Sequence, residues 1–254
     1  EIREIMADVD VEILSMKEWL KQKSSSDKKL LFFVPFLTIF ISVLLSGYSL
    51  LESFSVYWWE SIFLYTLIGL LFLYDYKAEE KAGHFQNIHL GKETFNIYLA
   101  KMLLKVKDIF VTTVIFTVIF YLVSLLFSGV MSVDMGRDFL CLLLIMLASI
   151  WNLPFLYFLS RWLSPYLLLA VNALVCLLVA PFLAQTSFWY IFPYTYHYKI
   201  AYGMMQLKPS GDLDVAGVMD IQLIITALVL SLLMCLLCVF LLKWRLNNDE
   251  LSKK

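Results

Sequence analysis

Charged residues are scarce in this sequence, and their scarcity excludes an ordinary soluble domain. They make up 16% of the 254 residues, against about 25% in a typical soluble protein. Hydrophobic residues reach 61%, and aromatic rings are abundant, as they are at membrane interfaces. The composition therefore predicts an all-α membrane protein built as a bundle of spans. The net charge of −1 gives no reason to expect a nucleic-acid partner.

The chain also lacks the phosphate-binding motif GxxxxGK[ST], in which backbone amides cradle phosphates and the final hydroxyl binds magnesium. Gly91-Lys92 matches two positions, but Gln86 and Glu93 stand where the motif requires Gly and then Ser or Thr. We therefore expect that this chain binds no nucleotide by this route and carries no cofactor of its own.

Cysteine and histidine are too few and too scattered for a disulfide framework or a metal site. The four cysteines lie inside apolar runs, and the CxxC pair Cys235 and Cys238 is flanked by leucines. We interpret all four as small packing residues. His84 and His89 are five residues apart, about 140° around a helix, so they cannot bind one metal from the same face.

An intramembrane metalloprotease is the enzyme alternative. One such family carries an EExxxR motif followed by histidines within the membrane. This chain has Glu79-Glu80, but His84 stands at the arginine position, and the pair lies outside the apolar runs. The motif is therefore incomplete, and the protease stays an alternative of a different class.

Six apolar runs are each long enough to cross a hydrocarbon core of about 30 Å, which takes about 20 residues of helix. These predicted spans are 30–50, 57–74, 109–128, 139–159, 166–183 and 221–242. Residues 30–254 are thus predicted to form one six-span domain, with 51–56 as a tight hairpin. In residues 1–29, apolar residues recur at helical spacing, which predicts a cytoplasmic, interfacial amphipathic helix.

The distribution of Lys and Arg orients these spans. Of the 20 basic residues, 17 fall in segments on the side of the N-terminus, and only Arg137, Lys199 and Lys208 fall on the other side. Cytoplasmic loops carry the excess of positive residues. Both termini are therefore predicted to be cytoplasmic.

The outer segment at 184–220 is too aromatic for a free loop and too short and polar to span the membrane. We expect it to form re-entrant or interfacial helices, shielded by protein where the backbone is irregular. A second short helix is predicted at 200–207.

Polar residues inside spans are rare and therefore informative. Glu60, near the outer end of the second span, either lines an outer substrate cavity or simply reaches the interface. Asn152 and Asn172 either contribute to a substrate path or form hydrogen bonds between helices. Pro154 lacks a backbone N–H and is predicted to kink or break the fourth span.

The loop predicted at 76–107 carries a spaced set of residues, namely Glu80, Gly83, Ile88, Gly91-Lys92, Ile97 and Lys101. This set resembles the cytoplasmic loop between the second and third spans of ABC-2 type transporter permeases. The stretch 82–87 is most similar to the lantibiotic immunity (self-protection) permeases of Gram-positive bacteria. Two positions depart from the common pattern, because His84 stands where many members have Thr, and Gly91 where Pro is common.

The resemblance implies an ABC-2, type V exporter-like fold and a protein that works in a complex. Two permeases, identical or different, would pair, and two ATP-binding subunits would dock below them and hydrolyse ATP with magnesium. The permease itself would not be an enzyme. The loop would supply a coupling helix that contacts the ATPase through Glu79, Glu80, Gly83, His84, Phe85, Gln86 and Asn87.

The cargo implied by the resemblance is an amphipathic, cationic peptide antibiotic that is removed from the bacterial plasma membrane, which protects the producing cell. Its path would involve Glu60, Trp189, Tyr190, Asn152 and Asn172, because aromatic rings and a carboxylate attract cations. The alternatives are an ABC-2 permease for bacitracin-like peptide, lipid or polysaccharide, and a membrane receptor or scaffold that transports nothing.

Overall fold

The computed structural model describes residues 25–46, 50–83, 94–126, 134–214 and 216–251. The N-terminal interfacial helix predicted at 1–29 therefore lies almost wholly outside the described residues. The same holds for His84, Phe85, Gln86 and Asn87 of the predicted coupling helix.

The described chain contains six helical segments that are long and apolar enough to cross a membrane. They are Lys28–Ser46, Leu51–Lys81, Phe95–Leu126, Met135–Leu159, Pro165–Ala184 and Ile221–Asn247, called spans 1 to 6 below. The prediction of an all-helical chain with six spans is therefore confirmed.

The helices are α1 (Ser25–Ser46), α2 (Leu51–Trp58), α3 (Leu64–Gly83), α4 (Thr94–Leu126), α5 (Met135–Ser149), α6 (Asn152–Leu159), α7 (Pro165–Leu174), α8 (Ala180–Ala184), α9 (Tyr196–Met205) and α10 (Ile221–Leu251). π-Helical turns at Trp59–Phe63 and Val175–Val179 join α2 to α3 and α7 to α8. 3-10 turns at Trp189–Ile191 and Pro193–Thr195 lead into α9. Within the described ranges, β structure is limited to an isolated bridge between Leu207 and Leu213.

Spans 2 and 3 extend further into polar sequence than their apolar runs indicate. Residues 51–56, predicted as a hairpin, form the start of span 2, and its helix continues to Gly83. Helix α4 begins at Thr94, well before the predicted start of the third span at residue 109. Hydropathy marks only the part of a helix that lies in hydrocarbon, whereas Glu, Lys and Ala continue a helix into water. Much of the predicted loop at 76–107 is therefore helical.

Span 4 is interrupted close to Pro154, as predicted. Helix α5 ends at Ser149, and α6 begins at Asn152. Proline has no N–H to donate to the carbonyl of Ile150, four residues back. That carbonyl instead accepts a bond from Leu153 N at 3.1 Å, which tightens the turn.

Spans 2 and 4 form the centre of the bundle. In their most apolar stretches 67% and 61% of the residues are buried, against 28% and 22% in spans 5 and 6. Span 2 packs against span 5, span 1 against span 3, and span 4 against spans 3 and 6. Trp59 of span 2 stacks on Phe116 of span 3 with ring centroids 4.6 Å apart. The peripheral spans present apolar faces that suit a bilayer.

The segment between spans 5 and 6 is folded onto the bundle. Helix α9 is buried along most of its length and packs against spans 4 and 6. It begins at Tyr196, rather than at the predicted residue 200, and ends at Gln206 in the left-handed conformation (φ 56°). A hairpin turn at 206–214 follows. The re-entrant or interfacial placement of these short helices stays a prediction.

Candidate functional site

Glu60 in span 2 is the first element of the candidate site. Its relative exposure is 0%, and neither carboxylate oxygen has a hydrogen-bond partner among the described residues. The interpretation that Glu60 simply reaches the membrane interface is therefore wrong. A buried charge without a partner is strongly destabilising. The negative charge of Glu60 is thus stable only when water or a cation can reach it.

Glu60 lies in the first of the two π-helical turns, and the two turns contact each other. In the second turn, Cys176 of span 5 donates a hydrogen bond from Sγ to the carbonyl oxygen of Glu60 at 3.5 Å. A π turn widens the helix by one residue per turn, and such turns are frequent at functional sites. The facing turns therefore define an irregular zone where spans 2 and 5 meet.

His197 on α9 completes this zone. Its buried ring places Nδ1 at 3.2 Å from Tyr65 Oη and Nε2 at 3.6 Å from Cys176 Sγ. Burial lowers the pKa of His197 from its usual 6.5 to about 3, so the ring is neutral near pH 7. A neutral imidazole donates from one nitrogen and accepts at the other, which lets it link α9 to spans 2 and 5.

Sequence reasoning missed the role of His197. The aromatic segment at 184–220 predicts shielding by protein, but no spacing in the sequence connects this histidine with Tyr65 or Cys176. Those contacts arise because α9 folds back between the spans.

Asn152 and Asn172 bind each other. Asn152 Nδ2 donates to Asn172 Oδ1 at 2.8 Å, and Tyr194 Oη donates to the same oxygen at 2.7 Å. Asn172 Nδ2 in turn donates to the carbonyl of Tyr65 at 2.9 Å. The alternative of hydrogen bonds between helices thus accounts for both asparagines, and it ties spans 2, 4 and 5 beside the zone of Glu60 and His197.

Trp189 and Tyr190 lie in the first of the two 3-10 turns and contact the start of α9. Trp189 makes an edge contact with Tyr196, and Lys199 Nζ lies 5.5 Å from the centroid of the indole. The backbone carbonyl of Tyr190 accepts from Tyr196 Oη at 2.9 Å, while the Tyr190 ring is 48% exposed. The Tyr190 ring is therefore open to a ligand from outside the bundle, whereas Trp189 is half-buried against the core.

A second buried polar group, the inner charge cluster, lies at the opposite end of spans 2, 3 and 4. It consists of Asp75, Glu79, Lys101 and Tyr157. Lys101 Nζ pairs with Glu79 and lies 3.4 Å from Asp75 Oδ2, which also accepts from Tyr157 Oη at 2.6 Å. All four side chains are buried. Glu79 therefore faces the bundle, and its carboxylate does not point to a partner protein.

Arg245 ties span 6 to the same end. Its Nη1 donates to the carbonyls of Tyr157 and Phe158 at 2.8 Å and 2.6 Å. These carbonyls belong to the last turn of α6, where orphan acceptors need partners. Spans 2, 3, 4 and 6 are thus joined by polar contacts at this end.

Glu80, Lys81 and Gly83 end the long helix of span 2. Glu80 and Lys81 are exposed and directly follow the buried Glu79. Of the seven predicted coupling residues, only Glu80 presents an exposed charged side chain within the described residues.

The fold and these two polar groups define an all-helical protein with six apolar spans, the composition and architecture of a multi-pass membrane protein. Within the described ranges, no group of three His, Cys, Asp or Glu side chains has the geometry of a metal site. No family model, no curated protein and no solved structure matches the chain.

Proposed function

We propose that this chain is the permease subunit of an ATP-driven exporter of the ABC-2 type, acting on amphipathic cationic peptides of the lantibiotic kind. The observation that carries the proposal is the set of residues from Glu80 to Lys101, which resembles the coupling loop of such permeases. The six spans and the exposed, charged end of the span 2 helix support it. A separate dimer of ATP-binding subunits would hydrolyse ATP, and a second permease, identical or different, would complete the pore in the bacterial plasma membrane.

The inner charge cluster suggests how movement would be transmitted. The coupling segment starts where the span 2 helix ends, and Lys101 lies on the helix that follows this segment. Because Lys101 pairs with Asp75 and Glu79, a push on the segment would act on spans 2 and 3 as a unit. Tyr157 and Arg245 would carry the same displacement to spans 4 and 6. Interdigitated helices shift as packed units rather than deforming locally.

Glu60 would act as the cargo's charge partner in an open arrangement. Separation of the facing π turns would let water and a cationic side chain reach the carboxylate, which has no partner when the turns are packed. The attraction between cation and carboxylate would then offset the cost of exposing the zone. Trp189 and Tyr190 would offer aromatic faces to the same cargo outside.

The proposal is tested by purifying the chain with its ATP-binding subunit. Glu80→Lys, which reverses an exposed charge at the proposed contact, is expected to lower the amount of bound ATPase. Asp134→Asn, a change of an exposed carboxylate at the opposite end of the bundle, should leave it unchanged. Glu60→Gln should retain the ATPase but lower cellular resistance to a cationic lantibiotic several-fold.

Equal ATPase binding by the Glu80→Lys variant and the unaltered chain would contradict the coupling contact. Full resistance in the Glu60→Gln variant would remove Glu60 from the cargo path. If resistance to bacitracin-like peptide depends on the chain and lantibiotic resistance does not, the fold assignment stands and the cargo is wrong. Zinc-dependent peptide cleavage by the purified chain would favour the protease instead.

A further inference from the structure

A cavity of about 290 Å³ lies between the first turns of span 2 and the hairpin turn at 206–214. The bridge between Leu207 and Leu213 closes this hairpin. Gly211 at its tip (φ 92°) lies so close to Tyr57 that an added Cβ would sit 3.4 Å from the ring. Two folded elements therefore form the cavity, which is open to the surface at Leu50, Ser210, Asp212 and Leu213.

The lining of the cavity combines an apolar wall with acceptors for a cation. Phe54 and Tyr57 contribute aromatic surface, and Ser53, Ser210 and Asp212 contribute polar atoms. Ser210 Oγ donates to Asp212 Oδ2 at 2.9 Å, and Oδ1 accepts no hydrogen bond within the described part of the chain. None of the lining residues is basic. The cavity thus presents one accessible negative charge beside apolar surface.

The end of the bundle that carries this cavity is acidic. Its described charged residues outside the core are Glu52, Asp134, Asp212, Asp214 and Asp220, against Arg137, Lys199 and Lys208. Arg137 is already paired with Glu52 at 2.7 Å. A surface with excess negative charge raises the local concentration of cations and speeds their arrival.

We propose that this cavity binds a primary ammonium group on a short apolar stem, as in a lysine side chain. The stem would lie against Phe54 and Tyr57, and the ammonium would donate to Asp212. The volume is at the lower limit of small-molecule pockets, about 300–1,000 Å³, so it suits one side chain rather than a whole peptide. The role of this site as a first contact for exported peptide rests on the proposed function. The binding of an ammonium group by the cavity does not depend on that function.

The test uses the purified full chain in nanodiscs of phosphatidylcholine, a lipid without a primary ammonium. Binding of N-acetyl-lysine amide is compared with that of N-acetyl-norleucine amide, which keeps the stem and lacks the charge, by saturation-transfer NMR. The lysine amide is expected to bind and the norleucine amide to bind at least fivefold more weakly. Asp212→Asn should weaken lysine-amide binding about fivefold, as the loss of one solvent-accessible charge pair allows.

Asp134→Asn is the matched control, because it removes an exposed carboxylate at the same end outside the cavity and keeps a residue suited to cap α5. An equal loss in the Asp212→Asn and Asp134→Asn variants, or equal binding of the two amides, would overturn the proposal. Ser53→Leu, which fills part of the cavity, should also reduce binding, and full binding would place the ligand elsewhere.

Two further comparisons are needed. One identifies the source of the ammonium group, and the other distinguishes this inference from the proposed transport function. Competition by phosphatidylethanolamine in the nanodisc, at the same Asp212-dependent site, would assign the ammonium to a lipid headgroup rather than a peptide. Because no ATPase is present in the binding experiment, its result is independent of the co-purification and resistance assays. If the chain binds lysine amide in this cavity but retains no ATPase, the inference is supported and the exporter assignment is refuted.

Discussion

His197 shows how a single residue can become part of a core through tertiary contacts. Its ring nitrogens contact Tyr65 on span 2 and Cys176 on span 5, and burial keeps it neutral. Glu60, whose carbonyl bonds to the same cysteine, is the second residue of this kind. Both polar groups are enclosed without charge partners among the described residues, so their protonation is linked to the packing of spans 2 and 5.

The pH dependence of stability tests the burial of His197. In the unfolded chain the histidine takes up a proton as the pH falls below about 6.5, whereas the folded chain does so only near pH 3. At this residue the unfolded state therefore binds more protons between these values, and the contribution of His197 to stability falls as the pH falls. The slope of this contribution reaches about 1.4 kcal/mol per pH unit, and the contribution falls by about 1.6 kcal/mol between pH 6.5 and 5.

His197→Gln should remove this contribution, measured as the difference in stability between the unaltered chain and the variant by reversible unfolding in detergent between pH 8 and 5. The double variant His84→Gln and His89→Gln serves as the control and should retain the slope of the unaltered chain. An unchanged slope in the His197→Gln variant would show that this histidine titrates normally in the folded state.

The helices of spans 2 and 3 are joined by buried ion pairs near their polar ends. Lys101 of span 3 pairs there with Asp75 and Glu79 of span 2. Lys101, Asp75 and Glu79 are buried in the bundle, where their charges are tolerated only because they are paired with each other. A buried pair is neutral or weakly stabilising as a whole, but the loss of one partner leaves uncompensated charge. The stability of this helix pair therefore depends on all three charged side chains being present together.

Removal of the cation from the inner charge cluster should be strongly destabilising. Lys101→Met leaves Asp75 and Glu79 buried without their cation and is expected to cost about 3–5 kcal/mol of unfolding free energy. Lys107→Met, at an exposed position on the same helix, should change stability by less than about 0.5 kcal/mol.

The triple variant Asp75→Asn, Glu79→Gln and Lys101→Met should recover most of the loss, because it removes both unpaired charges together with the cation. Denaturant unfolding of the four chains measures these differences. A Lys101→Met chain as stable as the unaltered one would show that the cluster is hydrated or open.

For the whole molecule, the two ends of the bundle differ in charge and role. Among the described residues, one end carries the exposed Glu80, the inner charge cluster and most of the Lys and Arg side chains. The other end carries the hairpin turn, the cavity and the acidic excess. The orientation predicted from Lys and Arg would place the basic end in the cytoplasm. Cargo and ATPase would thus meet the molecule at opposite ends.

Orientation is tested with single introduced cysteines and a maleimide that does not cross membranes. Val218→Cys, at a position 84% exposed beside the last span, should react in intact cells. Lys81→Cys, exposed at the other end, should react only after the membrane is permeabilised. The parent chain is the control, since Cys141, Cys176 and Cys238 are buried and Cys235 is partly so. The reverse pattern would invert the predicted orientation.

The sequence by itself determined the six spans, their predicted orientation and the interruption of span 4 near Pro154. These features follow from quantities that can be read along the chain, namely transfer free energy, the placement of Lys and Arg, and the missing N–H of proline. The ends of helices in polar sequence could not be predicted from hydropathy, because span 2 and α4 continue through residues that favour a helix without being apolar.

Only the tertiary structure decided which polar groups face inward. Glu79 and Glu80 are adjacent in sequence, yet one pairs with Lys101 inside the bundle and the other is exposed. Glu60 is enclosed and His197 joins two spans, although neither has a partner at helical spacing. In spans that are apolar on nearly every face, the sequence pattern does not mark the buried side. The rotation of each helix about its own axis is therefore set by packing against neighbouring helices.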